Sequence, residues 1–332
     1  MSRFTPTFVL AFALLFVAGS KAVERVEQKA IRQAIQRSLQ FIEKEGTKWI
    51  ERRKCVSCHQ IPAMLWSMNE AQRHGLYSKK TELTKWNEWS LQWENWDQPT
   101  KSEKEPVVAR KNIETMTNLI LAGSLSPEKP EEKKLLKLYV QRIIKSQNAN
   151  GSWKPNGQLP LQKRSKAESQ QVTTLWAVLA LEISDEKSKA VTQSRDRALA
   201  WLSKAPKGIS TEWYVAWSLV QRQLGKTKEA DRLLKALVSK QQKDGGWGWL
   251  LNDKSDAFGT GMVLYALAQA GWKPGHEVVR RAQRFLISTQ EKDGSWAVLS
   301  TLKRHQKRAI GTSLHWGTAW GAIGLLATLP SD

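Results

Sequence analysis

The sequence predicts an all-α fold in which six helical hairpins close into a ring, an (α/α)6 toroid. Three observations lead to this prediction. A seven-residue segment with Gln first, Gly fifth and Trp seventh recurs along the chain. An amphipathic helical pattern precedes each copy, and a second, more apolar helical pattern follows it. Helices that are apolar on every face must be enclosed, which favours an inner barrel covered by six outer helices over an open solenoid.

The N-terminal 22 residues are typical of a signal peptide. A basic start, MSRFTPT, precedes an apolar run of 12 residues, FVLAFALLFVAG, and small residues occupy positions 20 and 22. The run is too short to span a bilayer, so we expect cleavage near Ala22 and export to the periplasm or beyond. An uncleaved membrane anchor is the alternative. The remaining residues, 23–332, are predicted to form a single domain.

The first two hairpins are predicted from helical periodicity alone. An amphipathic outer pattern covers 26–46, and an inner pattern that starts with a proline covers 62–74. The second outer and inner helices are predicted over 80–96 and 105–123.

The other four hairpins are predicted from the repeated segment. It reads QNANGSW at 147–153, QQKDGGW at 241–247 and QEKDGSW at 290–296. The last two tryptophans are 49 residues apart and the first two are 94 apart, which indicates a degenerate copy over 194–225. The outer patterns cover 133–146, 229–240 and 276–289, and the inner patterns 169–183, 255–271 and 311–329.

The Q-x-x-x-G-x-W segment resembles the repeat of squalene–hopene cyclases and protein prenyltransferases. The likeness is good over 130–329 and weak over 23–125, and it implies an α/α toroid. Those cyclases protonate an alkene with an acid from a D-x-D-D-T motif. The similar place here is DAFGT, which keeps only Asp256 and Thr260. The resemblance therefore supports the fold and argues against the chemistry of the cyclases.

The zinc site of the prenyltransferases is not matched either. It needs Asp, Cys and His, and both cysteines of this chain lie far from the matching repeats. Whether the protein is an enzyme stays open, with the balance against it. Asp256 is the candidate catalytic residue if it is one.

The segment CVSCH, in a predicted loop at 50–61, has the attachment pattern of c-type haem. Two thiols add to the porphyrin vinyl groups, and the adjacent histidine reaches the iron. We expect Cys55 and Cys58 to hold one covalent haem c and His59 to be the proximal ligand. A structural disulfide, a redox-active dithiol and a zinc site remain as alternatives.

The sixth iron ligand is expected from a neighbouring hairpin. If the ring closes, hairpin six lies beside hairpin one, so His315 at the start of the last inner helix is the first candidate. Met116 and His305 are the alternatives, and a five-coordinate iron that binds small ligands is also possible. The main hypothesis is thus an exported haem protein that transfers electrons or binds a ligand at its iron.

Two other hypotheses remain. The first is a cyclase-like or lyase-like enzyme that uses the toroid cavity on an isoprenoid or a polysaccharide, since 17 tryptophans could line such a cavity. It predicts a deep pocket with a buried carboxylate near Asp256. The second is a binding scaffold with a Cys55–Cys58 disulfide.

The chain is strongly basic, with 52 Lys and Arg against 31 Asp and Glu and a net charge of +21. An exported protein of this charge attracts acidic partners, such as an acidic redox protein, an anionic membrane surface or an acidic polysaccharide. Nucleic acid is an improbable partner because the chain has no recognisable binding module for it.

Overall fold

The computed structural model describes residues 7–56, 60–92, 95–96, 112–124, 129–155, 163–184, 186–301, 305 and 307–330, with side chains from residue 27 onward. Over these ranges the chain forms twelve helices and no strands. The helices, in chain order, are α1 Thr7–Arg53, α2 Gln60–Arg73, α3 Lys80–Leu91, α4 Ile113–Leu121, α5 Pro130–Lys145, α6 Lys166–Ile183, α7 Lys189–Leu202, α8 Thr211–Gln223, α9 Thr227–Val238, α10 Ala257–Gln269, α11 Glu277–Thr289 and α12 Gly311–Ala327.

The even-numbered helices form a closed inner ring. Each of them contacts the next even-numbered helix, and α12 contacts α2. The odd-numbered helices lie outside, where α1 contacts both α11 and α12. The apolar side chains of both layers form one continuous core. The predicted toroid of six hairpins is therefore confirmed.

Three helices differ in extent from their predictions. Helix α3, predicted over 80–96, ends at Leu91, because Gln92 has an extended backbone. The first outer helix, predicted over 26–46, is the middle of a single helix that runs from Thr7 to Arg53. No proline interrupts this stretch, so nothing in the sequence ends the helix. The predicted cleavage near Ala22 falls inside it and stays a prediction. Among the described residues, no helix is both long enough and apolar enough to cross a bilayer.

The second inner helix is shorter than the predicted 105–123. Helix α4 begins after Asn112, whose side chain accepts a hydrogen bond from the Thr115 backbone N–H and so caps the helix. The preceding residues 97–111 lie outside the described ranges.

The repeated tryptophans anchor each turn to both helices of its hairpin. Each indole N–H donates to a carbonyl of the preceding outer helix, and each backbone N–H donates to a threonine hydroxyl of the following inner helix. The pairs are Trp153 with Ile143 and Thr174, Trp247 with Leu237 and Thr260, and Trp296 with Leu286 and Thr318, at 2.6–3.1 Å. These three residues are almost fully buried, so each packs its turn against both helices of the hairpin.

The repeated glutamines connect each turn to the next outer helix in space. The Gln147 side-chain amide donates to Ser194 on α7, and that of Gln241 donates to Val278 on α11, at 2.8–2.9 Å. The corresponding bond from Gln290 goes to the Ala34 carbonyl on α1, at 2.8 Å. This last bond joins the final turn to the first helix and closes the outer layer.

Candidate functional site

A cavity, here called the central well, opens where the inner helices begin. Side chains from all six inner helices line it, and the space it encloses is about 60 Å³. Among them are Ala63, Glu114, Thr173, Glu212, Met262 and Trp316. Helix N-termini surround this opening, so their partial positive charge is directed towards whatever enters it.

An aromatic cluster forms the floor of the well. Trp66, Trp176 and Trp320 come from three different inner helices, and their ring centroids are 5.1–6.4 Å apart. Tyr265 packs against Trp66 and Trp320 at 5.7 and 5.9 Å. The rings meet mostly edge-to-face or tilted, the arrangements that aromatic pairs prefer. This cluster fills the middle of the barrel, so the well ends there.

A buried ion pair forms one wall of the well. Arg164, just before α6, donates to Glu212 on α8 at 2.8 Å, and both side chains are at least nine-tenths buried. The other Glu212 oxygen accepts from the indole N–H of Trp176 at 2.9 Å. Arg164 also donates to the Ser169 and Ser210 hydroxyls at 3.2 and 3.3 Å. These bonds fix the guanidinium, and such full pairing is what a buried charge requires.

A second carboxylate lies on the α4 side of the well. Glu114 accepts a hydrogen bond from the Thr173 hydroxyl at 2.9 Å. Thr173 and Trp176 are three residues apart on α6 and therefore lie on the same face of that helix. One face of α6 thus holds Glu114 on one side and Glu212 on the other, and both carboxylates line the same cavity.

A larger cavity, here called the rim chamber, lies between hairpins five and six. Its volume is about 400 Å³. Its aromatic lining consists of Trp249, Phe258 and Trp316, and its polar lining includes Lys163 and Asp256. Trp316 lines both cavities, so the chamber and the central well are neighbours at this side chain.

Asp256 lies at the boundary between the chamber and α10. It caps the helix, because its Oδ1 accepts a hydrogen bond from the Gly259 backbone N–H at 2.7 Å. Burial raises the pKa of this carboxyl to about 6, against the lowering effects of the Gly259 N–H and of Lys163. A pocket beside Asp256 is present as expected, and Asp256 itself is a partly exposed residue of its lining.

The CVSCH loop connects α1 to α2. Cys55 is partly buried, and its carbonyl accepts a hydrogen bond from the Trp49 indole at 3.0 Å. Cys58 and His59 lie outside the described residues. The loop occupies the place where the later hairpins carry the Gln-Gly-Trp turn, at the same end of the barrel as the central well.

The structure brings His315 next to this loop. His315 is 1% exposed, and its Nε2 lies 2.9 Å from the carbonyl oxygen of Gln60, the residue that follows the motif. Met116 is fully buried on α4, and His305 is partly buried in the connection before α12. The expected proximity of hairpins one and six is confirmed, while iron ligation by any of these residues stays a prediction.

The polar wall of the well was not predicted from the sequence. Glu114 and Glu212 are each the second residue of an inner helix, and Arg164 lies in a connection. An acidic residue in the first turn is ordinary at a helix N-terminus, so neither glutamate stands out locally. The signal available in the sequence was a glutamate as the second residue of two inner helices.

One family model matches part of the chain. The squalene–hopene cyclase C-terminal domain matches residues 217–331, a shorter range than the resemblance over 130–329. It covers the second half of α8 and the last two hairpins. No curated protein matches the chain.

Several solved structures resemble nearly the whole chain. A variant of UGL, in a structure described with the saccharide dGlcA-Glc-Rha-Glc, is 13% identical with a TM-score of 0.60, over 90% of this chain and 96% of that one. A glycosyl hydrolase of family 88 from Bacteroides vulgatus is 12% identical with a TM-score of 0.55, over 91% and 98%. A polysaccharide lyase is 14% identical with a TM-score of 0.55, over 91% and 96%. Because the identities are low, these likenesses establish the toroid fold alone.

Proposed function

We propose that the protein is a polysaccharide-acting enzyme that binds a sugar ring of its substrate at the central well. The observation that carries the proposal is the composition of the well: an aromatic floor beneath two carboxylates and a buried guanidinium. A pyranose has apolar C–H faces and polar hydroxyl edges. Such a ring presents its hydroxyl edge to carboxylates and its C–H faces to aromatic side chains.

The two carboxylates are suited to different tasks. Both oxygens of Glu212 are already hydrogen-bonded, to Arg164 and to Trp176. The Arg164 guanidinium and the Trp176 indole hold the Glu212 carboxylate in place, so Glu212 is suited to positioning a bound ring. Glu114, which lines the same cavity and accepts a hydrogen bond from Thr173, is the candidate acid–base residue. The well is narrow, which suits entry of the polar edge of a terminal ring rather than a whole oligosaccharide.

Two further observations support a saccharide over an isoprenoid. The three similar full-length structures are described by names that concern saccharides, while the cyclase family model covers only the C-terminal third of the chain. The net charge of +21 would attract an acidic polysaccharide.

The test is an activity screen with matched variants. Purified protein is incubated with neutral and uronate-containing polysaccharides, and new reducing ends and unsaturated sugar products are measured. We expect one class to be cleaved, with a loss of about 100-fold or more in kcat for Glu114→Gln and little change for the exposed control Glu88→Gln. Equal activity of the two variants, or no turnover and no binding across the panel, would overturn the proposal.

A second candidate function is haem binding at the CVSCH loop. It is favoured by the attachment pattern itself and by the position of His315, whose buried ring lies beside Gln60. Cys55 and Cys58 would hold the group, His59 would be the proximal ligand, and His315 would be the distal candidate. Haem c, when bound, would supply a redox-active or ligand-binding iron.

The test for haem is spectroscopic. The protein is purified from a host that attaches haem in its export compartment, and spectra are recorded before and after reduction with dithionite. A sharp reduced α band, with a haem stain that survives a denaturing gel, is expected. His315→Ala should then change the spectrum, whereas the exposed control His276→Ala should not. A colourless protein from a competent host would remove this candidate.

A further inference from the structure

We infer that the end of the molecule around the central well is a docking surface for an acidic polysaccharide, which lies across this end while one of its rings occupies the well. The surface, here called the cationic face, consists of exposed lysines from five of the six hairpins. They are Lys54 of hairpin one, Lys154 and Lys166 of hairpin three, Lys204 and Lys207 of hairpin four, Lys243 and Lys254 of hairpin five, and Lys292 and Lys307 of hairpin six.

This inference rests on the proposed function and deepens it. It assigns the charge of the substrate and a contact region outside the well. It also predicts that binding depends on where the positive charges lie, and not only on the net charge of the chain.

The direction of the helices collects these lysines at one end. Each outer helix runs towards its turn and each inner helix runs back from it, so the turns meet where the inner helices begin. The central well opens at this end, and Lys154 directly precedes Pro155, which lines the well. The cationic face therefore lies around the opening through which a substrate would enter.

The cations at the two ends of the molecule differ in their pairing. Among the described residues, none of the lysines of the cationic face takes part in an ion pair. Lys163 and Arg164, at the same end, are paired with acids and are not counted in the face. At the opposite end several cations are held by acids: Arg73 by Glu70, Lys79 by Glu43 at 2.5 Å, and Lys129 by Glu132 at 3.0 Å.

The acids of the turns do not cancel the cationic face. In the described parts of these turns, the exposed acidic residues are Asp244, Glu291 and Asp293. Two of them bond within their own turns, since Asp244 accepts from the Ser255 hydroxyl and Asp293 from the Ser295 hydroxyl, both at 2.7 Å. The end with the well therefore carries a net positive field, which attracts anions towards the opening.

The spacing of the lysines favours an extended polyanion. Each lysine is a point charge on a flexible stem, and together they are spread around the opening rather than gathered in one cluster. A small anion would contact one or two of them. A chain whose rings carry carboxylates or sulfates would contact several in succession, whichever way it leaves the well. A planar anionic membrane would meet the same charges but would place nothing in the well.

The experiment compares two triple variants that change the net charge equally. All the substituted lysines are exposed, so neither combination should disturb the core. The variant of the cationic face combines Lys154→Gln, Lys204→Gln and Lys254→Gln. The control, in the connections at the opposite end, combines Lys189→Gln, Lys226→Gln and Lys273→Gln.

The probes are polygalacturonate, which carries carboxylates, dextran sulfate, which carries sulfates, and neutral dextran. Calorimetry measures their binding to the full-length protein at about 50 mM and about 300 mM NaCl, between which the Debye length falls by more than half. We expect at least one of the two acidic chains to bind, about tenfold more weakly at the higher salt. At the lower salt, the variant of the cationic face should bind this chain about tenfold more weakly, and the control should change its affinity by less than about two-fold.

The two proposals fail in different ways. Equal affinity of the two triple variants for the acidic chain, or binding of neutral dextran alone, would overturn the docking surface and leave the proposed function to the test with Glu114→Gln. Failure of every polysaccharide to bind would overturn both proposals. In that case, binding to vesicles of phosphatidylserine that is lost only in the variant of the cationic face would assign this face to a membrane instead.

Discussion

Several buried polar side chains lie where the inner helices begin, and they bond to neighbouring helices. Glu168 accepts hydrogen bonds from the Ser210 backbone and hydroxyl and from the Ile209 N–H, at 2.7–3.0 Å. Asp256 caps α10, and Arg164 joins α6 to α8 through Glu212. The residues that make the site polar therefore also hold the helices in place, so substitutions there need isosteric replacements.

Asp256 gives a prediction about pH. Its folded-state pKa, raised to about 6 by burial, lies above the unfolded value of about 3.9. The protonated form is therefore preferred in the folded state, and its contribution to stability is lost as the pH rises through about 6. Asp256→Asn keeps the capping oxygen and removes the titration. We expect the variant to gain about 2 kcal/mol relative to wild type between pH 4 and pH 7.

The measurement is denaturant unfolding of both proteins at several pH values. Asp293 provides a comparison of opposite sign. The Ser295 hydroxyl and backbone N–H hold the pKa of Asp293 below its ordinary range, so its contribution to stability is lost as the pH falls. A stability difference between wild type and Asp256→Asn that does not change with pH would contradict the assignment.

At the scale of the element, the Gln-Gly-Trp turn explains why its three residue types recur together. Glutamine bonds to the next outer helix and tryptophan to its own hairpin. Glycine allows the turn and the next outer helix to lie close together. At Gly294 the backbone has a φ of +87°, and an added Cβ would overlap the Arg37 carbonyl of α1. The turn is thus the joint between neighbouring hairpins as well as the link within one.

Gly294→Ala tests this joint, with Gly225→Ala as its matched control. Gly225 also has a positive φ, +73°, but an added Cβ there meets nothing within 4 Å. The control should lose about 1 kcal/mol of unfolding free energy from backbone strain alone. Gly294→Ala should lose about 3 kcal/mol or more, because the outer helix must also move. Chemical denaturation measures the free energy of unfolding of both variants. Equal losses would show that the close contact at Gly294 does not contribute to stability.

At the scale of the whole molecule, the ring closes in both layers. Helix α12 contacts α2 in the inner layer, and Gln290 bonds to Ala34 in the outer layer. Glu27 adds an ion pair with Arg284 at 2.8 Å, which its exposure makes weak. A closed ring with one continuous core has no end hairpin that is free to unfold first, unlike an open solenoid.

The prediction is a single cooperative unfolding transition. Gln290→Ala, at the closure, and Gln147→Ala, within the ring, remove equivalent hydrogen bonds to the next outer helix. Each should lower the free energy of unfolding by about 2 kcal/mol without splitting the transition. Circular dichroism and tryptophan fluorescence should give the same midpoint. An extra early transition in Gln290→Ala alone would mean that the ring opens at hairpin one.

The sequence by itself determined the fold class, the number of hairpins and the residues of the repeated turn. It could do so because the helical period, the glycine and the tryptophan are local patterns that recur. It also identified Asp256 as a residue at the start of an inner helix. It predicted that His315 lies near the first hairpin, because a closed ring brings hairpins one and six together. It could not locate the start of α4, which depends on a cap by Asn112 rather than on periodicity.

The site itself was decided by the tertiary structure. Glu114, Arg164 and Glu212 come from different hairpins, and nothing in their local sequences relates them. Trp316 lines both the narrow well and the wider chamber, and the missing partner of the Trp249 indole appears only once its surroundings are packed. Helical repeats are specified by short-range periodicity, whereas a cavity is formed by side chains that meet only after the ring has closed.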